Sequence, residues 1–255
     1  MGLESAKFSG AEQSEQKERT PKKAATAKRK EQSQEVTSML GYYGINKALI
    51  YLATKNATEE FKPASFKELY TKRPALVQII SGVAKYFKIQ PAMLLATLHK
   101  ESGFKHGAKG DLNYSSGKSI GIGQFQDSAW QDLNEKDHGP CKEFRAFMGK
   151  FYPGKKFKRG ENLLTDIAAS AAWIKYKASK RIRWESPGRH RLVQARARYK
   201  GDSNASYEWR TYYEEQKKKV PRDKSKVSNE YNEFMDKYIM YNTGLKEFKR
   251  LISAK

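Results

Sequence analysis

The sequence predicts a mainly α-helical protein, and three observations carry that expectation. Apolar residues recur at helical spacing along much of the chain, and Pro or Gly punctuates several of those runs. The stretch richest in Gly, Ser, Asn and Asp, residues 105–124, suits loops and at most one short β-hairpin.

Taken in order, residues 1–38 hold Gln, Ser, Lys, Glu and Ala with a single aromatic, Phe8. Such a segment buries too little apolar surface to fold alone, and is expected to be a disordered or docking tail. Residues 39–73 form a helical lead-in: Ile45, Leu49, Leu52 and Ala53 predict a short amphipathic helix ending near Lys55, followed by a polar connection over 56–73. Pro74 then opens a helix whose face carries Leu76, Ile79, Ile80, Val83 and Phe87. Pro91 starts the next, which runs to Ser102 with Gly103 as its stop. Further helices are expected at Ser128 to Leu133, with Asp127 as its N-cap, at Leu163 to Ala178 and at Arg189 to Tyr199. Residues 216–255 are expected to be a helical extension, with a polar break over 220–228.

Of 255 residues, 50 are Lys or Arg and 28 are Asp or Glu, a net charge of +22. The excess is uneven: residues 141–200 alone hold 17 basic groups against four acidic ones. That concentration points to an anionic partner, either nucleic acid, an acidic membrane or an anionic wall polymer. Solvated helix faces would account for part of it. The longest apolar stretches fall far short of a membrane span, and Met1 to Gly10 has no apolar core, so neither a span nor a secretory leader is expected. Cys141 is the only cysteine, which leaves no disulfide framework and no Cys-rich metal site.

Glu101 is the residue with the clearest chemical content. Leu94, Leu98 and Glu101 fall at i, i+4 and i+7, so the carboxylate lies on a face otherwise bound for the core. Burial and the negative end of the helix dipole both favour its neutral form, as a general acid requires. About twenty residues later comes Gly121-Ile122-Gly123-Gln124-Phe125-Gln126. Its glycines would let backbone approach a bulky ligand, and Gln124 and Gln126 offer amide groups to sugar hydroxyls. A core helix ending in a surface Glu, followed by a loop, fits the same pattern.

The order Ala96 to Phe104 (ATLHKESGF), then GIGQFQ, then the helix from Asp166 to Lys177, then Ala197-Arg198-Tyr199-Lys200-Gly201 resembles the soluble lytic transglycosylase family. The resemblance covers residues 74–215 and is strongest at Glu-Ser-Gly-Phe. It implies a lysozyme-like helical domain over 74–215, with a short β-hairpin or loop region near the active site. It also implies Glu101 as catalytic residue and Ser102, Gly121, Gln124, Gln126 and Tyr199 as substrate-binding residues, with Tyr199 hydrogen-bonded to the carboxylate. A core role for Tyr199 is the other reading. Gly123 stands where the family has Met, and Lys200 where it has Asn. No metal or cofactor is implied.

The activity implied is cleavage of the MurNAc-β-1,4-GlcNAc bond of peptidoglycan with formation of a 1,6-anhydro end, one carboxylate acting first as acid and then as base. A hydrolytic lysozyme is the nearest competitor and would need a second carboxylate, for which Asp111 is the candidate. A zinc deaminase is excluded: His99-Lys100-Glu101 and Pro140-Cys141 resemble part of its motif, but Phe144 stands at the second Cys position. A virion structural or nucleic-acid-binding protein is the alternative from another class, resting on the Lys155 to Arg159 run and the Arg-rich 181–198 segment. A wall substrate without a leader suggests a bacteriophage protein. It would be made in the cytoplasm, carried in the virion or its tail, and act in the host periplasm or wall during genome entry. Residues 1–60 and 220–255 would then dock on virion proteins.

Overall fold

A computed structural model describes residues 44–110, 118–178, 182–184, 187–200 and 226–253. Among them are nine helices: α1 (Lys47–Asn56), α2 (Phe66–Lys72), α3 (Pro74–Phe87), α4 (Pro91–Ser102), α5 (Asp127–Glu135), α6 (Gly139–Phe151), α7 (Leu163–Lys177), α8 (Arg189–Tyr199) and α9 (Lys226–Ser253). Among the described residues none is in a strand. Among the described residues of 105–125 there are only isolated antiparallel bridges, Lys109 to Ile120 and Ile120 to Phe125. No helix is long and apolar enough to cross a membrane, and no three His, Cys, Asp or Glu side chains gather as a metal site, among these residues.

The helices begin and end for local reasons. Pro occupies the first turn of α3, α4 and α6, where its missing N–H costs no helical bond. Gly103 closes α4 at φ +54°, its N–H bonded to the carbonyl of His99. Two helices escape the sequence expectation. The polar connection holds α2, which is capped by its own first turn: Ser65 Oγ accepts from the Glu68 N–H at 3.1 Å, and Glu68 Oε2 accepts from the Ala64 N–H at 2.8 Å. Helix α6 buries Cys141, Phe144, Phe147 and Met148, one helical stripe. Asp127 is not an N-cap: α5 begins one residue earlier than expected, and Asp127 in its first turn pairs with Arg159 at 2.7 Å.

Helices α4 and α7 are the buried centre. Of the twelve residues of α4, Ala92 through His99 are all buried, and so are Leu163 through Ile174 of α7. Buried apolar side chains of α1, α3, α6 and α8 surround them in one core. Burying each Leu, Ile or Phe contributes roughly 1.5–3 kcal/mol, so this layer is what fixes the end of α4.

Helix α9 belongs to that core. Tyr231, Phe234, Met235, Tyr238 and Tyr241 are buried along it, and Tyr241 Oη meets His99 Nδ1 of α4 at 2.7 Å. Gly244 lets it lie tight on α2, where an added Cβ would collide with the Phe66 side chain. Helices α1 and α9, which lie within the flanks expected to dock on virion proteins, both contribute buried side chains to this core.

Candidate functional site

Glu101 lies in the last turn of α4 with 14% of its side chain exposed, at the junction of two concavities. The larger, of about 830 Å³, has walls from Gly123 to Gln126, from Ser128, Ala129 and Asp132 of α5, and from Trp173, Lys177 and Tyr199. The smaller, of about 310 Å³, is lined by Ser102, Lys62, Lys100, Lys105 and Lys109 among others. Glu101, Gly110 and Gln124 border both. The carboxylate thus faces a groove that continues on either side of it.

The sequence placed Glu101 in apolar surroundings. The structure sets it against Arg196 of α8, whose Nη1 donates to Glu101 Oε1. Arg196 is only 2% exposed, and its other terminal nitrogen is 3.6 Å from Glu230 of α9. Burial works against the charge on Arg196, but the Glu101 carboxylate, and then Glu230, more than offset it and raise its pKa. Lys200 joins the same chain, pairing with Glu230 at 2.6 Å. Burial pushes Glu230 up, yet Lys200 and then Arg196 outweigh it and hold that carboxyl below its ordinary range. Four side chains from α4, α8, α9 and the residue capping α8 so form an alternating charge ladder behind the groove.

The other expected site residues meet different fates. Tyr199 is beside the site, but its hydroxyl donates to the Gly123 carbonyl at 2.7 Å and lies 3.4 Å from Ser170 Oγ; no bond to Glu101 is formed. Arg196, one turn earlier on the same helix, takes the place expected for it. Burial, and then the charge of Glu101, push the Tyr199 phenol up, so it is a fixed donor. Ser102 Oγ donates to the Ile122 carbonyl at 2.8 Å, tying the end of α4 to the GIGQFQ loop rather than pointing at a ligand.

Gly121, at φ +88°, faces inward: a Cβ there would run into the Asp166 carboxylate. Gly123 is equally hemmed. An added Cβ would collide with Ser170 Oγ and lie 2.9 Å from Tyr199 Oη, which is why no larger residue stands there. Gln124 does line the groove, at φ +52°, a left-handed backbone that costs energy for a non-glycine residue. Its amide donors, however, are taken by the carbonyls of Ala108 at 3.1 Å and Gly121 at 2.8 Å. What it leaves for a ligand is acceptor capacity. Gln126 lines the larger concavity, and its side chain makes no cap bond to α5. Asp111 lies outside the described residues.

Behind the loop, Asp166 is fully buried and accepts from the Gly160 N–H at 3.0 Å, with His106 Nδ1 3.8 Å away. Desolvation raises its pKa from 3.8 to about 7, against the hydrogen bonds of the Gly160 and Ile122 amides. Burial lowers His106. His99, bonded to Tyr241, is lowered by burial to about 4.

Arg196, Glu230, Asp132 and Lys177 were not expected at the site from the sequence. Arg196 had a usable signal, the one that picked out Glu101: Leu192, Val193, Arg196 and Tyr199 share one buried helical stripe, and a charge on such a stripe needs a partner. Trp173 donates from Nε1 to the Tyr199 carbonyl at 3.2 Å, and Lys177 Nζ sits 4.4 Å from its ring centre. Among its described residues, little of the basic 141–200 segment rims the groove. Lys177 and Lys200 do, while Arg145, Arg159 and Lys175 are paired with Asp137, Asp127 and Glu143 elsewhere. Comparison of the chain with protein-family models, curated proteins and solved structures gives no match.

Proposed function

We propose that the groove binds a glycan strand and that Glu101 cleaves it as a peptidoglycan lytic transglycosylase. The observation that carries the reading is the position of Glu101, a carboxylate at the end of a buried helix where two concavities meet. A polymer lying through both would put a glycosidic bond over that carboxylate, with sugar units held on each side. The lysozyme-like architecture, with the bridges of Lys109 to Ile120 and Ile120 to Phe125 as the counterpart of a hairpin, is part of the same proposal.

In this mechanism Glu101 gives a proton to the glycosidic oxygen between N-acetylmuramic acid and N-acetylglucosamine. The substrate's 2-acetamido oxygen relieves the charge developing at C1. Glu101, now ionised, takes the proton of the C6 hydroxyl as that oxygen attacks C1 and closes the 1,6-anhydro ring. One carboxylate suffices because the substrate supplies the second nucleophile, where ordinary glycosidases use two carboxyl groups. Arg196 adds a requirement of its own. To release Glu101 for the first step the guanidinium turns to Glu230, already 3.6 Å away, and returns to hold the carboxylate once it is charged.

A second reading draws on the same pair. If Glu101 serves only as counter-ion to buried Arg196, the groove is a non-catalytic binding surface. Digestion of purified peptidoglycan, followed by mass analysis of the released muropeptides, separates the possibilities. Ends lighter by one water than hydrolysed ends support the transglycosylase, and reducing ends support a lysozyme, with Asp132 of the groove as a further candidate for its second carboxylate. No release by a folded protein leaves the binding surface. The proposed setting, local opening of a bacterial wall by a phage particle, is tested by looking for the protein in purified virions.

A further inference from the structure

A second pocket, of about 860 Å³, opens at the other end of α4, where Gln90 and Pro91 begin the helix. Counting about 1.5 Å per helical residue, it lies roughly 15 Å from Glu101 along the helix axis. Lys85 of α3, Lys88 just after it, and Lys246 and Lys249 of α9 converge on this pocket, and none of its described lining residues is a carboxylate. For Lys88, Lys246 and Lys249 the described residues supply no ion pair.

Lys88 adds a second, independent sign. It caps α3 at φ +54°, in the left-handed conformation where Gly is the ordinary residue. A lysine there carries backbone strain that a glycine would not.

We propose that this pocket binds an anionic chain of phosphodiester-linked sugar or polyol units. Lysine ammonium groups are compact charges with rotatable donors that pair with a phosphodiester from any direction, and Lys88, Lys246 and Lys249 present three of them here. Asn242 and Ser81 supply polar groups for hydroxyls, and the half-buried Trp184 supplies one face for a sugar or polyol. Single-stranded nucleic acid is the less suitable occupant. Successive bases need successive stacking faces, and the other ring of the described lining, Tyr238, is 8% exposed.

The test is equilibrium binding of the full-length protein to a labelled glycerol-phosphate oligomer, with an oligodeoxythymidylate of equal charge as the comparison. The glycerol-phosphate oligomer is expected to bind, more tightly than the DNA. The Lys246→Ala/Lys249→Ala double variant is expected to bind it about ten-fold more weakly, with a shallower dependence on salt. Glu101→Gln is expected to bind it like the wild type, so this proposal and the one for the groove fail separately. Tighter binding of the DNA, an unchanged affinity in the double variant, or no binding of the glycerol-phosphate oligomer would overturn it.

Discussion

Helix α4 has two ends, with a buried ladder of paired charges at one and an open cluster of lysines at the other. At its C-terminal end every charged side chain of the ladder is matched: Glu101 with Arg196, Arg196 with Glu230, Glu230 with Lys200, and Lys100 with Glu233 at 2.6 Å. At its N-terminal end Lys88, Lys246 and Lys249 gather with no carboxylate among the described lining. Matched charges in a buried setting hold one geometry, because breaking the set leaves a charge without water or partner. Like charges gathered at an open pocket repel one another, and an anion from outside relieves that repulsion. The contrast separates the molecule into an end built for placement and an end built for capture.

The largest expected effect breaks the matched end chemically. Glu101→Gln keeps the size and much of the hydrogen bonding of the side chain and removes its proton transfer. Release of anhydro muropeptides should fall by at least about 10²–10⁴-fold, the range lost with a general acid. Circular dichroism should still show a helical protein. Cleavage that persists at the wild-type rate would remove Glu101 from the mechanism.

The next breaks that end structurally. Arg196→Met leaves Glu101 without its partner and Glu230 with Lys200 only, and should cost about 3–5 kcal/mol of stability in urea unfolding. Combining it with Glu101→Gln should recover part of the loss, a coupling of about 1–3 kcal/mol in a double-mutant cycle. Additive losses would mean that the two side chains touch without sharing energy.

A third prediction concerns pH, since buried titratable groups also cluster near the groove. Asp166 has a folded pKa of about 7 against an ordinary 3.8, so the folded state binds the extra proton between those values. Its contribution to stability is therefore present at low pH and is lost as pH rises from about 4 to 7, by at most about 4 kcal/mol. His99 runs the other way: lowered from 6.5 to about 4, it costs stability as pH falls through that window. Asp166→Asn should flatten the neutral side of a plot of urea midpoint against pH, and His99→Gln the acidic side. A pH profile of the midpoint that neither substitution alters would contradict both assignments.

Much of this arrangement was legible in the sequence, and what was not has identifiable causes. Helices α3, α4, α7 and α8 follow from apolar spacing and from Pro74, Pro91 and Gly103, because local rules and burial agree there. Helix α2 was hidden by its polar composition, although Ser65 and Glu68 spell its cap. Glu101 stood out as a charge on an apolar stripe. Its partner did not, because the pairing of Arg196 with Glu101 joins residues 95 positions apart, and no local pattern encodes which buried charge meets which. The same distance defeated Tyr199: its helix was foreseen, but one turn of rotation decides whether Tyr199 or Arg196 faces the carboxylate. The excess of basic residues was legible as a total and misleading as a location. The cluster at the N-terminal end of α4 draws Lys85, Lys88, Lys246 and Lys249 from two distant segments, each unremarkable alone.

The smallest expected effect sharpens the contrast most, because its two readouts move in opposite directions. Lys88 holds a left-handed backbone at φ +54°, and replacing it with Gly removes the clash of Cβ with the chain. Against this gain, Gly brings more freedom to the unfolded chain, so the net change should be a rise in melting temperature of only about 1–3 °C. The same substitution removes one cation from the pocket, so the glycerol-phosphate oligomer should bind a few-fold more weakly. A residue kept only for folding would not improve the fold when replaced. A residue kept for a ligand should do so, and should lose the ligand in return. If Lys88→Gly stabilised the protein and left binding untouched, the strained lysine would be an accident of the fold, and the pocket would rest on Lys246 and Lys249.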